Sequence, residues 1–327
     1  MKNRMIKVGN VVPSLKVANI SYNTEQIKQA ILDHQDCSIL LFPELCISGY
    51  TCADLFAHDA LLEASKNALV EIASIVDQQL IVVGAALKYH NSLYNCAVYI
   101  SQGKIIGVVP KIYIPTYSEF YESRWFTSGK EIKDTYIQFG NDKVPFSKTL
   151  LIEDPQSGAV VGCDICEDLW VADKPSTHAC LAGANIIVNL SASDELIGKE
   201  DYRRSMVSQQ SSSCYCAYCY VSSGVDESST DLVFSGHSMI YENGKKMIDS
   251  IFTERTHVDS AIIDLDTITY NRIHQNTFET VDEGYTRVEA KIPALRNTNE
   301  ISVDTLVETL KKENYLIAKN PFVPKDS

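Results

Sequence analysis

What most limits the fold of this chain is a set of short, nearly uninterrupted apolar runs, the clearest being CSILLFPEL at 37–45, which ends on a carboxylate. Runs of this kind belong to strands buried on both faces, and reactive groups collect where such strands end. Stretches with helical spacing lie between them. Residues 23–35 mix charged and apolar positions as an amphipathic helix does, and 59–78 carries Leu62, Ala68, Leu69, Ile72 and Ile75 at helical intervals. Further helices are expected at 176–183, 199–213 and about 301–313. Strands are expected at 5–13, 80–89, 93–107, 149–154, 159–166, 184–193, 217–223 and 257–266, with a hairpin over 236–251 turned on Glu242-Asn243-Gly244. Residues 113–148 read as a polar loop with an aromatic run. After Asp266 the chain becomes polar and less periodic, and its closing NPFVPKDS suits an extended linker. The alternation predicts an α/β sandwich, helices outside and sheets inside.

A length of 327 residues is compatible with one large domain and a tail, divided here at 1–270 and 271–327. The formal charge of -13, from 42 acidic against 29 basic residues, repels phosphate backbones and anionic membranes, so neither nucleic acid nor a membrane is an expected partner. The start, MKNRMIKVGNVV, lacks the long apolar stretch of a signal peptide. A cytoplasmic setting follows, in which the ten cysteines are expected as reduced thiols.

Three of the apolar runs deliver ionisable groups at their ends. Glu44 ends LLFPEL, Lys111 follows IIGVVP, and Cys166 sits in VVGCDICEDLW. Attack on an amide needs a nucleophile, a base that takes and returns a proton, and a cation or amide donors for the oxyanion. Each of the three alone is an ordinary residue: a buried thiol, a rim carboxylate, a loop lysine.

Their contexts carry more weight together. FPELCISGY, VPKIYIPTYSEFYESRWF and CDICEDLW match the three signatures of the nitrilase superfamily of carbon-nitrogen hydrolases, which residues 5–270 closely resemble. Within it the chain is most similar to the glutaminase domains of glutamine-dependent NAD synthetases, through Tyr50, Tyr117, NLSAS at 189–193, Gly198-Lys199 and DLVFSGHS at 231–238. The resemblance implies an α-β-β-α sandwich, doubled to eight layers by dimerisation. It implies Glu44 as base, Cys166 as nucleophile, and Lys111 with a backbone amide near Glu167 as the oxyanion site. Tyr50, Tyr117, Glu167, Trp170, Ser193 and Lys199 become candidates for holding glutamine, with Glu167 facing its α-amino group and Lys199 its α-carboxylate. No cofactor is implied for this reaction; ATP and Mg belong to the synthetase domain. The sequence ends at Ser327, where that domain would begin, so the ammonia is expected to serve either the rest of a longer protein or a separate chain.

Several features compete with this reading. Cys163-x-x-Cys166 and Cys216-x-x-Cys219 imitate a four-cysteine zinc site, but both pairs lie in apolar strands without the polar knuckles that expose sulfur, and no metal is expected. SSGVDESS at 222–229 imitates a pyrophosphate loop, yet Val225 replaces the glycine needed for close approach, and a surface turn is expected. His178 reads as a surface or helix-cap residue. The competing functions are a free-standing amidase or carbamoylase of the same superfamily and a non-catalytic zinc or scaffold domain.

Overall fold

The computed structural model describes residues 4–253, 256–281, 284–295 and 303–312. In its first half, β1 (Met5–Val12), α1 (Ile20–Asp33), β2 (Ile39–Leu41), α2 (Asp59–Ile75) and β3 (Leu80–Tyr89) are followed by β4 (Ser92–Ser101), β5 (Lys104–Pro110), β6 (Thr135–Phe139) and β7 (Asp142–Phe146). The second half runs β8 (Leu150–Asp154), β9 (Ala159–Ile165), α3 (Pro175–Leu181), β10 (Ile186–Ser191), α4 (Lys199–Ser213), β11 (Ala217–Ser222), β12 (Ser238–Glu242), β13 (Lys245–Ser250) and β14 (His257–Asp264). It closes with α5 (Leu265–His274), β15 (Thr286–Glu289) and α6 (Val303–Lys312).

Two sheets result, ordered β14-β1-β2-β3-β4-β5-β7-β6 and β13-β12-β11-β10-β9-β8-β15. Strand alternation sorts their side chains into three apolar layers. Leu80 and Val82 of β3 meet Val161 and Ile165 of β9 and Ile186, Val188 and Leu190 of β10 between the sheets. Ile81 and Val83, on the opposite face of β3, pack against Ile27 and Ile31 of α1 and Leu69 and Ile72 of α2. Ile187, behind β10, packs with Ala179 and Cys180 of α3 and Val207 of α4. The order is therefore helix, sheet, sheet, helix, as expected from the sequence. Strands β1, β2 and β3 pair in parallel, as do β9, β10 and β11. Their carboxyl ends thus come to the same edge of the sandwich.

Three segments differ from expectation. Residues 93–107 are two strands, because Gln102 and Gly103, with φ of 49° and 76°, turn the chain between β4 and β5. The presumed loop at 113–148 contains the β6–β7 hairpin, whose short strands bury only alternate residues and so give a weak pattern. The polar region after Asp266 contributes α5 and the edge strand β15, which pairs with β8. The expected division at residue 270 falls within α5, and Ile292 beyond it is fully buried between the sheets. The linker expected at 320–327 lies outside the described residues. No helix among the described residues is long and apolar enough to cross a membrane.

Candidate active site

Proline at 43 ends β2, and the next three residues turn beneath β3. Only glycine fits there: a Cβ on Gly84 would meet Leu45 N at 2.3 Å and Pro43 O at 2.5 Å. The turn aims Glu44 into the seam between the sheets, and its N–H donates to Ser191 O of the opposite sheet at 3.3 Å. Lys111 follows Pro110 at the end of β5. Its N–H donates to Asn95 O of β4 at 2.8 Å and its carbonyl accepts from Gly129 N at 2.8 Å.

Glu44 and Lys111 are fully buried and joined at 2.7 Å. Lys111 Nζ also donates to both oxygens of Glu122, at 2.7 and 3.0 Å. Asn95 Nδ2 donates to Glu44 Oε1 at 2.6 Å, and the Tyr50 hydroxyl donates to Glu122 Oε1 at 2.9 Å. Burial alone would lower the Lys111 pKa, but the charges of Glu122 and Glu44 outweigh it and hold the ammonium charged well above its ordinary value. Burial pushes the Glu122 carboxyl up to about 7, with Lys111 pulling the other way. Glu44 is asymmetric. Its Oε1 takes both hydrogen bonds, whereas Oε2 is buried with no hydrogen-bond partner among the described residues.

Cys166 begins a short turn after β9 with φ of +46°, a left-handed conformation costly for a non-glycine residue. Asp168 holds that turn, accepting from Ile165 N at 3.0 Å and from Tyr113 N of the Lys111 segment at 2.9 Å. Cys166 N donates to Asn189 Oδ1 of β10 at 3.3 Å. The thiol is 5% exposed; burial pushes its pKa up, the Glu44 charge adds to this, and Lys111 opposes it. These surroundings favour the thiol form of the resting sulfur over the thiolate.

Cys166 opens onto a cavity of 460 Å³ whose wall includes Tyr117, Glu167, Trp170, Ser193 and Lys199. The Tyr117 hydroxyl donates to Glu167 at 2.9 and 3.0 Å. Lys199 Nζ pairs with Asp194 and lies 5.2 Å from the Phe120 ring centre and 5.5 Å from that of Trp170. Leu196 and Ile197 stand exposed at the rim. The two charges expected at this wall are thus already engaged, Glu167 by a phenol and Lys199 by a carboxylate. Tyr50 does not line this cavity. It lines an adjoining one of 210 Å³ and touches the charged cluster through Glu122.

Sequence reasoning missed four residues. Glu122 stood in the quoted YESRWF, eleven residues after Lys111, and Asp168 in the quoted CDICEDLW, whereas Asn95 is a polar residue among apolar strand neighbours and Arg203 one of two adjacent helix arginines. SSGVDESS does turn at Val225 and Asp226, with Val225 exposed as expected, but it also carries a buried carboxylate. Glu227 within it is buried and accepts from Tyr50 N at 2.6 Å, Thr51 N at 3.1 Å and Thr51 Oγ1 at 2.6 Å. Of the zinc-like cysteines, Cys219 faces the layer between the sheets and Cys216 the helical layer, so their sulfurs diverge. His178 is exposed and sits 2.7 Å from Asp173 Oδ1.

The family model described as carbon-nitrogen hydrolase matches residues 8–272. A glutamine-dependent NAD(+) synthetase from Mycobacterium leprae is 36% identical over 90% of this chain and 43% of its own length. A solved glutamine-dependent NAD(+) synthetase from Cytophaga hutchinsonii is 26% identical with a TM-score of 0.72, covering 79% of this chain and 43% of that one. A solved carbon-nitrogen hydrolase from Helicobacter pylori G27, 20% identical with a TM-score of 0.65, matches in fold over 83% of this chain and 93% of its own. The chain spans half or less of the length of the glutamine-dependent synthetases it matches.

Proposed function

Because the chain belongs to the carbon-nitrogen hydrolase family, we propose that it hydrolyses the side-chain amide of glutamine to glutamate and ammonia, with Cys166 as nucleophile. The observation that carries the reading is the half-occupied Glu44 carboxylate: one oxygen is fixed by Lys111 and Asn95, and the other, in a buried seam, has no hydrogen-bond partner among the described residues. In this reading the Cys166 proton passes to Glu44 Oε2 as sulfur attacks the carboxamide carbon. Lys111 and the Glu167 backbone N–H hold the oxyanion. The C–N bond then breaks, the nitrogen takes the proton from Glu44, and ammonia leaves a glutamyl thioester. Water, deprotonated by Glu44, cleaves the thioester and restores the thiol.

A raised thiol pKa suits this sequence, since attack and proton transfer occur together and the resting sulfur stays inert. Glutamine lies in the 460 Å³ cavity, its α-groups toward Glu167, Ser193 and Lys199 and its edge against Tyr117 and Trp170. Tyr50 acts by orienting Glu122 rather than by touching glutamine. The ammonia goes to an NAD synthetase domain or chain, where ATP and Mg are used; the hydrolysis itself needs no cofactor. The sandwich pairs with a second copy into eight layers, and the ten buried free cysteines fit a reducing, cytoplasmic compartment.

The pairing of Lys199 with Asp194 favours a second reading, an amidase for uncharged amides, because the cation meant for an α-carboxylate is already answered. Coupled assay of ammonia from glutamine and from butyramide separates the two. Glutamine turnover that vanishes in Cys166→Ala supports the first; equal or better turnover of butyramide supports the second.

A further inference from the structure

The DLVFSGHS segment takes no part in the chemistry above, yet it encloses the cavity's polar wall from behind. Asp194 forms a bridge with Phe234, and Glu195 N donates to Val233 O at 2.7 Å. The Ser235 hydroxyl donates to Glu195 Oε1 at 2.6 Å. Between this segment and the cavity lies Arg203 of α4, a fully buried guanidinium. Its Nη2 donates to Ser193 Oγ at 3.2 Å and Asp194 O at 3.0 Å. Its Nη1 donates to Glu195 Oε1 at 2.5 Å and to His237 Nδ1 at 2.8 Å.

A guanidinium can only donate, so His237 Nδ1 is an acceptor and its proton sits on Nε2, which donates to Asp249 Oδ1 at 3.0 Å. Asp249 is shared with Arg204 at 2.7 Å and Lys246 at 3.3 Å. The histidine is thus a neutral spacer between two charged groups, and burial together with Arg203 keeps its pKa below the ordinary value. A lysine at 203 would keep the charge beside Glu195 but could not hold Ser193, Asp194 and His237 at once from a planar fork.

We propose that Arg203, braced by His237 and Ser235, is the positioning residue that sets the Ser193–Asp194 wall and thereby selects substrates bearing charged α-groups over simple amides. Arg203 reaches no substrate itself. It orients the Ser193 hydroxyl and fixes the backbone of Asp194, whose side chain pairs with Lys199, so both polar elements of the amino-acid end depend on it. The inference rests on the glutamine reading above and specifies what enforces it.

The test compares Arg203→Lys with wild type on glutamine and butyramide, and measures glutamine binding calorimetrically in the Cys166→Ala background. The expected result is a fall of about tenfold in the ratio of kcat/KM for glutamine to that for butyramide, carried by KM, with glutamine binding weakened by a similar factor. Combining Ser193→Ala with Arg203→Lys should add little to the larger single effect. If Arg203→Lys does not fold, Ser235→Ala should shift the same ratio about threefold. Equal losses on both amides would mean a merely structural role and overturn the inference. Unchanged glutamine binding would overturn it as well. A Cys166→Ala parent that binds no glutamine removes the glutamine reading and this inference together; normal parental binding with an unmoved ratio removes only this one.

Discussion

The two sheets meet at one seam but hold their acidic groups differently. On the eight-stranded side, Glu44 and Glu122 are bound to a shared cation, Lys111, with Asn95 and Tyr50 filling the remaining contacts. On the seven-stranded side, the carboxylates around the Cys166 turn are held by neutral donors, Asp168 by two backbone N–H groups and Asp164 by Ser176 N and the Tyr218 hydroxyl, and Glu242 farther off by Asp264 N, while Asp194 and Glu195 at the cavity wall pair with Lys199 and Arg203. The first arrangement keeps charge in place for proton transfer inside a dry seam. The second fixes backbone, above all the left-handed turn at Cys166. The eight-stranded sheet thus supplies the charged pair and the seven-stranded sheet supplies the Cys166 thiol on a turn braced by neutral donors, and each fails in its own way when disturbed.

Removing the cation tests the first sheet most severely. Lys111→Met leaves two buried carboxylates facing each other without compensation, and should cost about 3–5 kcal/mol of stability and at least about a thousandfold in ammonia release. Urea denaturation and the coupled ammonia assay check both; wild-type stability in the variant would show that the ion pairs carry little weight. Gly84→Ala comes next, since its methyl would press on the Glu44 turn at 2.3 Å. A loss of about 1–3 kcal/mol with a disproportionate fall in kcat is expected. On the second sheet, Asp168→Asn keeps the volume but sets an amide against two backbone donors. A loss of about 1–3 kcal/mol is expected, with kcat reduced because the Cys166 turn and the Tyr113 segment lose their common anchor.

The smallest effect is a pH slope. Burial pushes the Glu242 carboxyl up to about 7, so the folded chain keeps a proton that the unfolded chain releases near pH ~4. Stability from this group is fully present at low pH and is lost as pH rises through about 7. The difference in Tm between wild type and Glu242→Gln should therefore move against wild type between about pH 5 and pH 8. A difference that moves the other way would place Glu242 with the ion-paired carboxylates.

Much of this architecture was legible from the sequence because strands buried on both faces leave unmistakable apolar runs. The helix at 199–213 was found at its observed limits, and the Glu242-Asn243-Gly244 turn forms with Asn243 and Gly244 both at positive φ. Strands β6, β7 and β15 were not legible, since strands of four or five residues at or next to a sheet edge bury too few side chains to make a pattern. For the site, motif context located Glu44, Lys111 and Cys166, which the fold brings to one seam. What escaped was whatever acts through contact rather than motif. Glu122 is a loop glutamate until Lys111 is seen against it, Gly84 an ordinary strand glycine until the Glu44 turn lies on it, and Arg203 one of two adjacent helix arginines. Tyr50 shows the converse, its motif position suggesting a substrate contact while its hydroxyl reaches Glu122.

The central claim is a glutamyl thioester on Cys166 formed from a resting thiol. The most direct measurement is intact-protein and peptide mass spectrometry after incubation with 6-diazo-5-oxo-L-norleucine, a glutamine analogue that traps the attacking nucleophile. The account predicts one adduct, on the peptide carrying Cys166, suppressed by excess glutamine and absent from Cys166→Ala. An adduct on another of the ten cysteines, or glutamine turnover that survives with Cys166 unmodified, would contradict it.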